Sequence, residues 1–137
     1  MIIVDDRLSL DALAGRRERF AATSVDTVAT TWSFHFRLVR ALTDTSRVGA
    51  LTDPEQGSAL LEAASAAPAH QLQVLDPREL TATAAMLAVR HGLNLLAAEL
   101  VAAATHHAAT VALSSSNVGR TWPHVFEIEG IDLRLVD

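Results

Sequence analysis

The sequence predicts an α/β fold, a three-layer α/β/α sandwich around a central, mainly parallel sheet, in one domain spanning residues 1–137. Three observations carry this expectation. Ile2-Ile3-Val4 is a short, continuous apolar run that ends in two carboxylates, Asp5 and Asp6, the pattern of a strand buried on both faces of a parallel sheet. Strand-like segments then alternate with helical ones along the chain, which implies crossovers and a sheet covered on both sides. Finally, Asp53-Pro54-Glu55-Gln56 and Asp76-Pro77-Arg78-Glu79 are helix openings, with Asp as cap and Pro at the first helical position.

Taken in order, Arg7 to Ala14 reads as a short amphipathic helix stopped by Gly15, since glycine just past the last apolar position is the usual C-terminal stop. Ser24 to Thr31 reads as a second strand. Trp32 to Leu42 has apolar residues at 34, 38, 41 and 42 and predicts a helix with an aromatic start. The helix opened by Asp53 carries Leu60, Leu61 and Ala64 and ends before Pro68. Gln71 to Leu75 is a short strand, and the helix opened by Asp76 runs to His91 with Gly92 as its stop. Leu93 to Ala109 is an Ala-rich helix, and Thr110 to Leu113 a buried-type strand opening into Ser114-Ser115-Ser116-Asn117. Val118 to Pro123 reads as loop or a short helical turn. From Gly130, Ile131, Leu133 and Leu135 alternate with Asp132 and Arg134, which marks an edge strand with one wet face.

Composition narrows the function classes. Half of the 137 residues are hydrophobic, which argues against disorder. The absence of cysteine excludes a disulfide framework and a thiolate metal site. No secretory signal stands before the first strand, and Arg90, His91 and Glu99 interrupt the apolar stretches below membrane-spanning length. A soluble, intracellular, cytoplasmic protein with no membrane partner is the expectation. The formal charge of −5 disfavours a wholesale nucleic-acid coat. All 11 basic residues are Arg, and the local excess at Arg37, Arg40 and Arg47 reads as a solvated helix face or a small RNA-facing patch.

In open parallel sheets ligands sit beyond the carboxyl ends of the strands, which puts Asp5 at the lip of the expected crevice. Glu99 is the second informative acid, as the charge within Leu95-Leu96-Ala97-Ala98-Glu99-Leu100-Val101-Ala102-Ala103-Ala104. Burying it is costly unless it is paired or bound to a metal; the alternative is that this helix face, with Leu95, Ala103 and His106, turns to water. Asp6 is also placed to cap the first helix. His106 and His107, adjacent on a helix and about 100° apart, are expected not to grip one ion together and to favour the helix C-terminus. Trp32, Phe34 and Phe36, with His35, read as core or a partner groove, or as a stacking surface for RNA bases.

At these residues the chain resembles the PIN-domain family, and within it the small toxin ribonucleases of VapC type. Met1 to Asp5, Leu95 to Ala104 and Ala109 to Ser116 follow the family's order and spacing, and the likeness covers nearly the whole chain. The resemblance implies a PIN fold and an RNA-cleaving site that uses Mg²⁺ or Mn²⁺ held by three or four acids. Asp5 matches the first acid, and Glu99 the family's helical Asp. Two positions depart: Trp32 to Arg40 contains no acid, with His35, Phe36 and Arg37 in that neighbourhood, and Ser116, followed by Asn117, stands where an acid follows the fourth strand. The catalytic pair implied is Asp5 and Glu99, with Asp6, Asn117 and Ser116 as weaker metal contacts. Lower ligand charge weakens binding of hard dications, so the readings are an endoribonuclease with weakened or lost activity, or an inactive module binding RNA or a protein. A homodimer, or an antitoxin-like partner held by the apolar helices, is the further expectation.

Overall fold

The computed structural model describes residues 1–23, 26–44, 54–66 and 70–137. Five strands form one all-parallel sheet: β1 (Ile2–Val4), β2 (Val28–Thr30), β3 (Gln73–Val74), β4 (Thr110–Ser114) and β5 (Leu133–Val136), ordered β3-β2-β1-β4-β5. Six α-helices occur among the described residues: α1 (Asp6–Leu13), α2 (Trp32–Thr43), α3 (Pro54–Ala66), α4 (Thr81–His91), α5 (Leu95–His107) and α6 (Trp122–Ile128). The expected three-layer α/β/α sandwich is the fold observed.

The two-residue period of the strands builds the layers. Ile2, Val4, Val28 and Ala112 face one core with Leu8, Leu38 and Leu42 from α1 and α2. Ile3, Ala29, Val111 and Leu113 face the other, with α4, α5 and α6 supplying Leu87, Leu100, Val101 and Phe126. The sheet is thus buried on both sides, which explains why β1 reads as an uninterrupted apolar run. Register pairs Val4 with Thr30 on one side and with Ala112 on the other. β1 lies at the centre, and the chain changes sides of it between β3 and β4. The crevice between the carboxyl ends of β1 and β4 is therefore the topological switch point, where ligands of such sheets sit.

Several elements differ from expectation. The second strand is shorter, Val28–Thr30, and the expected residues 24 and 25 lie outside the described residues, as do the Asp53 cap and Pro68. Asp76 opens a 3₁₀ turn, Pro77–Glu79, before α4 begins at Thr81. Asn94 caps α5 by accepting from the Ala97 N–H at 2.9 Å, which moves that helix start to Leu95. The largest difference is α6, for which no helix is expected; the loop or short turn expected at Val118 to Pro123 overlaps only its first two residues, Trp122 and Pro123. Trp122, Val125 and Phe126 are buried, an i, i+3, i+4 face too short to stand out beside Pro123, and Gly130 at φ +69° stops the segment. β5 is an edge strand as expected, but Leu135 on it is exposed. No single helix among the described residues is long and apolar enough to cross a membrane.

Candidate functional site

Asp5 follows β1 directly, so it stands at the switch point with its side chain fully buried. Its Oδ1 accepts from the Leu8 N–H at 2.9 Å, which makes Asp5, rather than the expected Asp6, the cap of α1. Its Oδ2 accepts from the Ser114 N–H at 2.7 Å and from Asn117 Nδ2 at 2.9 Å. One carboxylate thereby ties β1, α1, β4 and the 3₁₀ turn Ser115–Asn117 together. A buried acceptor of this kind is stabilising only while its donors remain, since a buried polar group left without a partner costs about 1–3 kcal/mol.

Asp6 is the first residue of α1. Asn117 Nδ2 also donates to its Oδ1 at 2.8 Å, and the Arg37 guanidinium lies 3.4 Å from its Oδ2. Burial pushes the Asp6 carboxyl above its ordinary value against the pull of Arg37, and the neighbouring Asp5 adds to the rise. Ser116 does not face the acids alone: its Oγ accepts from Arg7 at 2.8 Å and exchanges a hydrogen bond with the Ser114 hydroxyl at 2.9 Å. Beyond this network opens a groove of about 590 Å³ lined by Arg7, Arg16, Arg19 and Arg37 together with Asp6 and the Ser114–Asn117 turn. Arg16 and Arg19 share the single carboxylate of Asp11, Arg37 is paired with Asp6, and Asp11 and Asp137 also line the groove.

Glu99 is buried, 4% exposed, and Ala103 is buried too, whereas Leu95 and His106 at the two ends of the same helix face are exposed. Its Oε1 accepts from the Trp32 N–H at 3.1 Å, and its Oε2 from the Ser33 N–H at 3.3 Å and from the Ser33 hydroxyl. These are the first donors of α2, which no intrahelical carbonyl can satisfy. A carboxylate there also meets the positive end of the helix dipole. Sequence pattern could not reveal this, because the partner lies 66 residues away and is largely backbone. The absence of an acid in Trp32–Arg40 acquires a physical sense: Glu99 from α5 serves that helix start. Because Val4 pairs with Thr30, Asp5 and the start of α2 that Glu99 caps follow the ends of neighbouring strands.

As arranged, these groups do not fit a hard dication. Mg²⁺ and Mn²⁺ need oxygen lone pairs converging on an open position. Here Asp5 Oδ2 and Glu99 Oε2 each accept two donors and Asp5 Oδ1 and Glu99 Oε1 one each, and Arg37 stands beside Asp6. Asp5, Asp6 and Glu99 do not gather into a three-ligand cluster among the described residues. The chain matches no protein-family model, and a comparison with curated proteins gives no match.

The aromatic start of α2 divides. Phe34 is fully buried, whereas Trp32 and Phe36 are half exposed and stacked, ring centroids 5.5 Å apart. Trp32 lines a second, apolar cleft of about 540 Å³ together with Leu80, Ala84, Leu95, Ala98 and the buried Glu99. The His106 and His107 rings at the end of α5 meet edge-to-face with centroids 4.8 Å apart. The 100° separation governs Cβ directions, while the long reach of two imidazoles at a helix end lets the rings converge.

Proposed function

We propose that this is a PIN-like RNA-binding module in which metal-dependent cleavage is lost, with the RNA backbone held in the Arg-lined groove beyond β1 and β4. The observation that carries the reading is the commitment of both matched acids, Asp5 and Glu99, to N–H and O–H donors within the fold. A hydrogen-bond hub at the first strand end and a helix cap at the second use the charge that a cleaving site would reserve for its ion. What the switch-point crevice then offers a ligand is a set of hydrogen-bonding and mixed-charge groups: Arg7, Arg37 beside its partner Asp6, and the serine hydroxyls of the 115–117 turn, with Asp11 and Asp137 also in the lining. Phosphate oxygens match those donors, and the stacked Trp32 and Phe36 add an exposed aromatic surface on the same helix as Arg37. No reaction step follows from this arrangement.

The test is fluorescence anisotropy of a labelled structured RNA against the purified protein over a salt series. Arg37→Ala is expected to weaken binding and to reduce the slope of log K against log salt by about one. Binding insensitive to both salt and Arg37 would overturn the reading.

A second reading has its own observation. The apolar cleft that Trp32 lines is also lined by Leu95, which is 68% exposed, and such a surface suits a second copy of the chain or an antitoxin-like peptide. Sedimentation of the wild type and Leu95→Glu separates a dimer, which the substitution would break, from a monomer indifferent to it.

A further inference from the structure

Away from the strand-end groove, three ligand-type side chains converge. Glu79 closes the 3₁₀ turn that precedes α4, and His106 and His107 occupy the last turn of α5. Their ligand atoms all lie within 4.8 Å of one another, and His106 Nε2 is 3.8 Å from Glu79 Oε2. Ligand atoms around a tetrahedral ion with bonds of about 2.0–2.1 Å stand roughly 3.3 Å apart, so a small rotation of exposed side chains closes the gap. His106 and Glu79 are half exposed, which gives an ion direct access. The neighbouring Arg78 is engaged by Asp76 at 2.7 Å and also feels the Glu79 charge, so an ion there displaces part of that attraction. The C-terminal end of α5 adds the negative end of its dipole.

We propose that Glu79, His106 and His107 form a binding site for a borderline transition dication of the Zn²⁺ class. Two imidazoles and one carboxylate select Zn²⁺, Ni²⁺ or Cu²⁺ over Mg²⁺ and Ca²⁺, which prefer all-oxygen shells. Three protein ligands leave a fourth position for water. The bound ion clasps the end of α5 to the turn that opens α4. Pro77 and Leu80 of that segment wall the apolar cleft, so the clasp also fixes one side of it. His106 lies seven residues beyond Glu99 on α5, about 10 Å along the helix axis, and the site is independent of the proposed RNA groove.

Calorimetric titration of the full chain with ZnCl₂ at pH 8, paralleled by MgCl₂, tests the site. One Zn²⁺ per chain with micromolar or tighter affinity is expected, with no heat from Mg²⁺. His106→Ala and His107→Ala should each weaken Zn²⁺ binding by at least roughly tenfold, and Glu79→Gln should weaken it too. Glu18→Gln, at an exposed acid outside the cluster, should leave it unchanged. Circular dichroism of each variant verifies the fold, and the same substitutions should abolish the visible bands of bound Co²⁺. Millimolar Zn²⁺ binding, or binding undiminished in His106→Ala/His107→Ala, would overturn the assignment.

Discussion

Replacing Glu99 separates a structural acid from a ligating one by the sign of its effect on stability. In a cluster of acids awaiting an ion, neutralising one member relieves like-charge repulsion and stabilises the metal-free protein. Glu99 is instead held by three donors at the start of α2. Glu99→Ala leaves the buried Ser33 N–H and hydroxyl without an acceptor, while the half-exposed Trp32 end can recruit water. Orphaned buried donors cost about 1–3 kcal/mol each and bonds to a charged group are worth about 1.5–3 kcal/mol. The expected total is therefore about 3–4 kcal/mol of destabilisation. Glu99→Gln keeps one oxygen but turns an NH₂ group toward another N–H, and loses the favourable charge at the helix start, at a cost of about 2 kcal/mol. Urea denaturation followed by circular dichroism measures both; the midpoints should fall with the slope unchanged. Stabilisation of either variant in metal-free buffer would refute the capping role and restore Glu99 as a ligand.

Asp6→Asn is expected to stabilise the protein at pH 7. Burial raises the folded carboxyl above the ordinary 3.8, so its ionisation costs stability at every pH above the folded value. The gain from the amide should fade as pH falls through the folded value toward 3.8, and a gain that grew toward acid would contradict the burial. His35 behaves in the opposite sense. Burial lowers its folded pKa below 6.5 and its Nδ1 has no hydrogen-bond partner among the described residues, so the unfolded chain takes up the proton first and stability falls as pH drops below 6.5. His35→Leu should flatten the dependence of unfolding free energy on pH below 6.5, and parallel curves would exclude that contribution. Gly119→Ala should destabilise by about 1–3 kcal/mol, because a Cβ there overlaps the indole of Trp122; an unchanged urea midpoint would mean that Trp122 is free to move.

Local rules made much of the fold legible. The Ile2-Ile3-Val4 run, the Gly15 and Gly92 stops, and the Asp76-Pro77 opening each act within a few residues, and the structure keeps them, with the last as a 3₁₀ turn. α6 escaped because seven residues give one buried face and Pro123 draws the eye to a loop. The acids were legible as residues but not as contacts. Nothing within ten residues of Glu99 signals that it will meet the backbone of residues 32 and 33, and nothing near Asp5 signals the amide of Ser114. The edge-to-face contact of the two histidine rings was not legible for a different reason: helical geometry fixes the Cβ directions, while ring nitrogens reach well beyond them.

The most direct measurement is a labelled structured RNA incubated with the protein and Mn²⁺, followed for both anisotropy and chain length. Raised anisotropy with RNA of full length, unchanged by Asp5→Asn wherever that variant stays folded, is the expected result. RNA shortened in Mn²⁺ by the wild type and left intact by folded Asp5→Asn would show that Asp5 serves an ion after all, and would contradict a strand end built for hydrogen bonding.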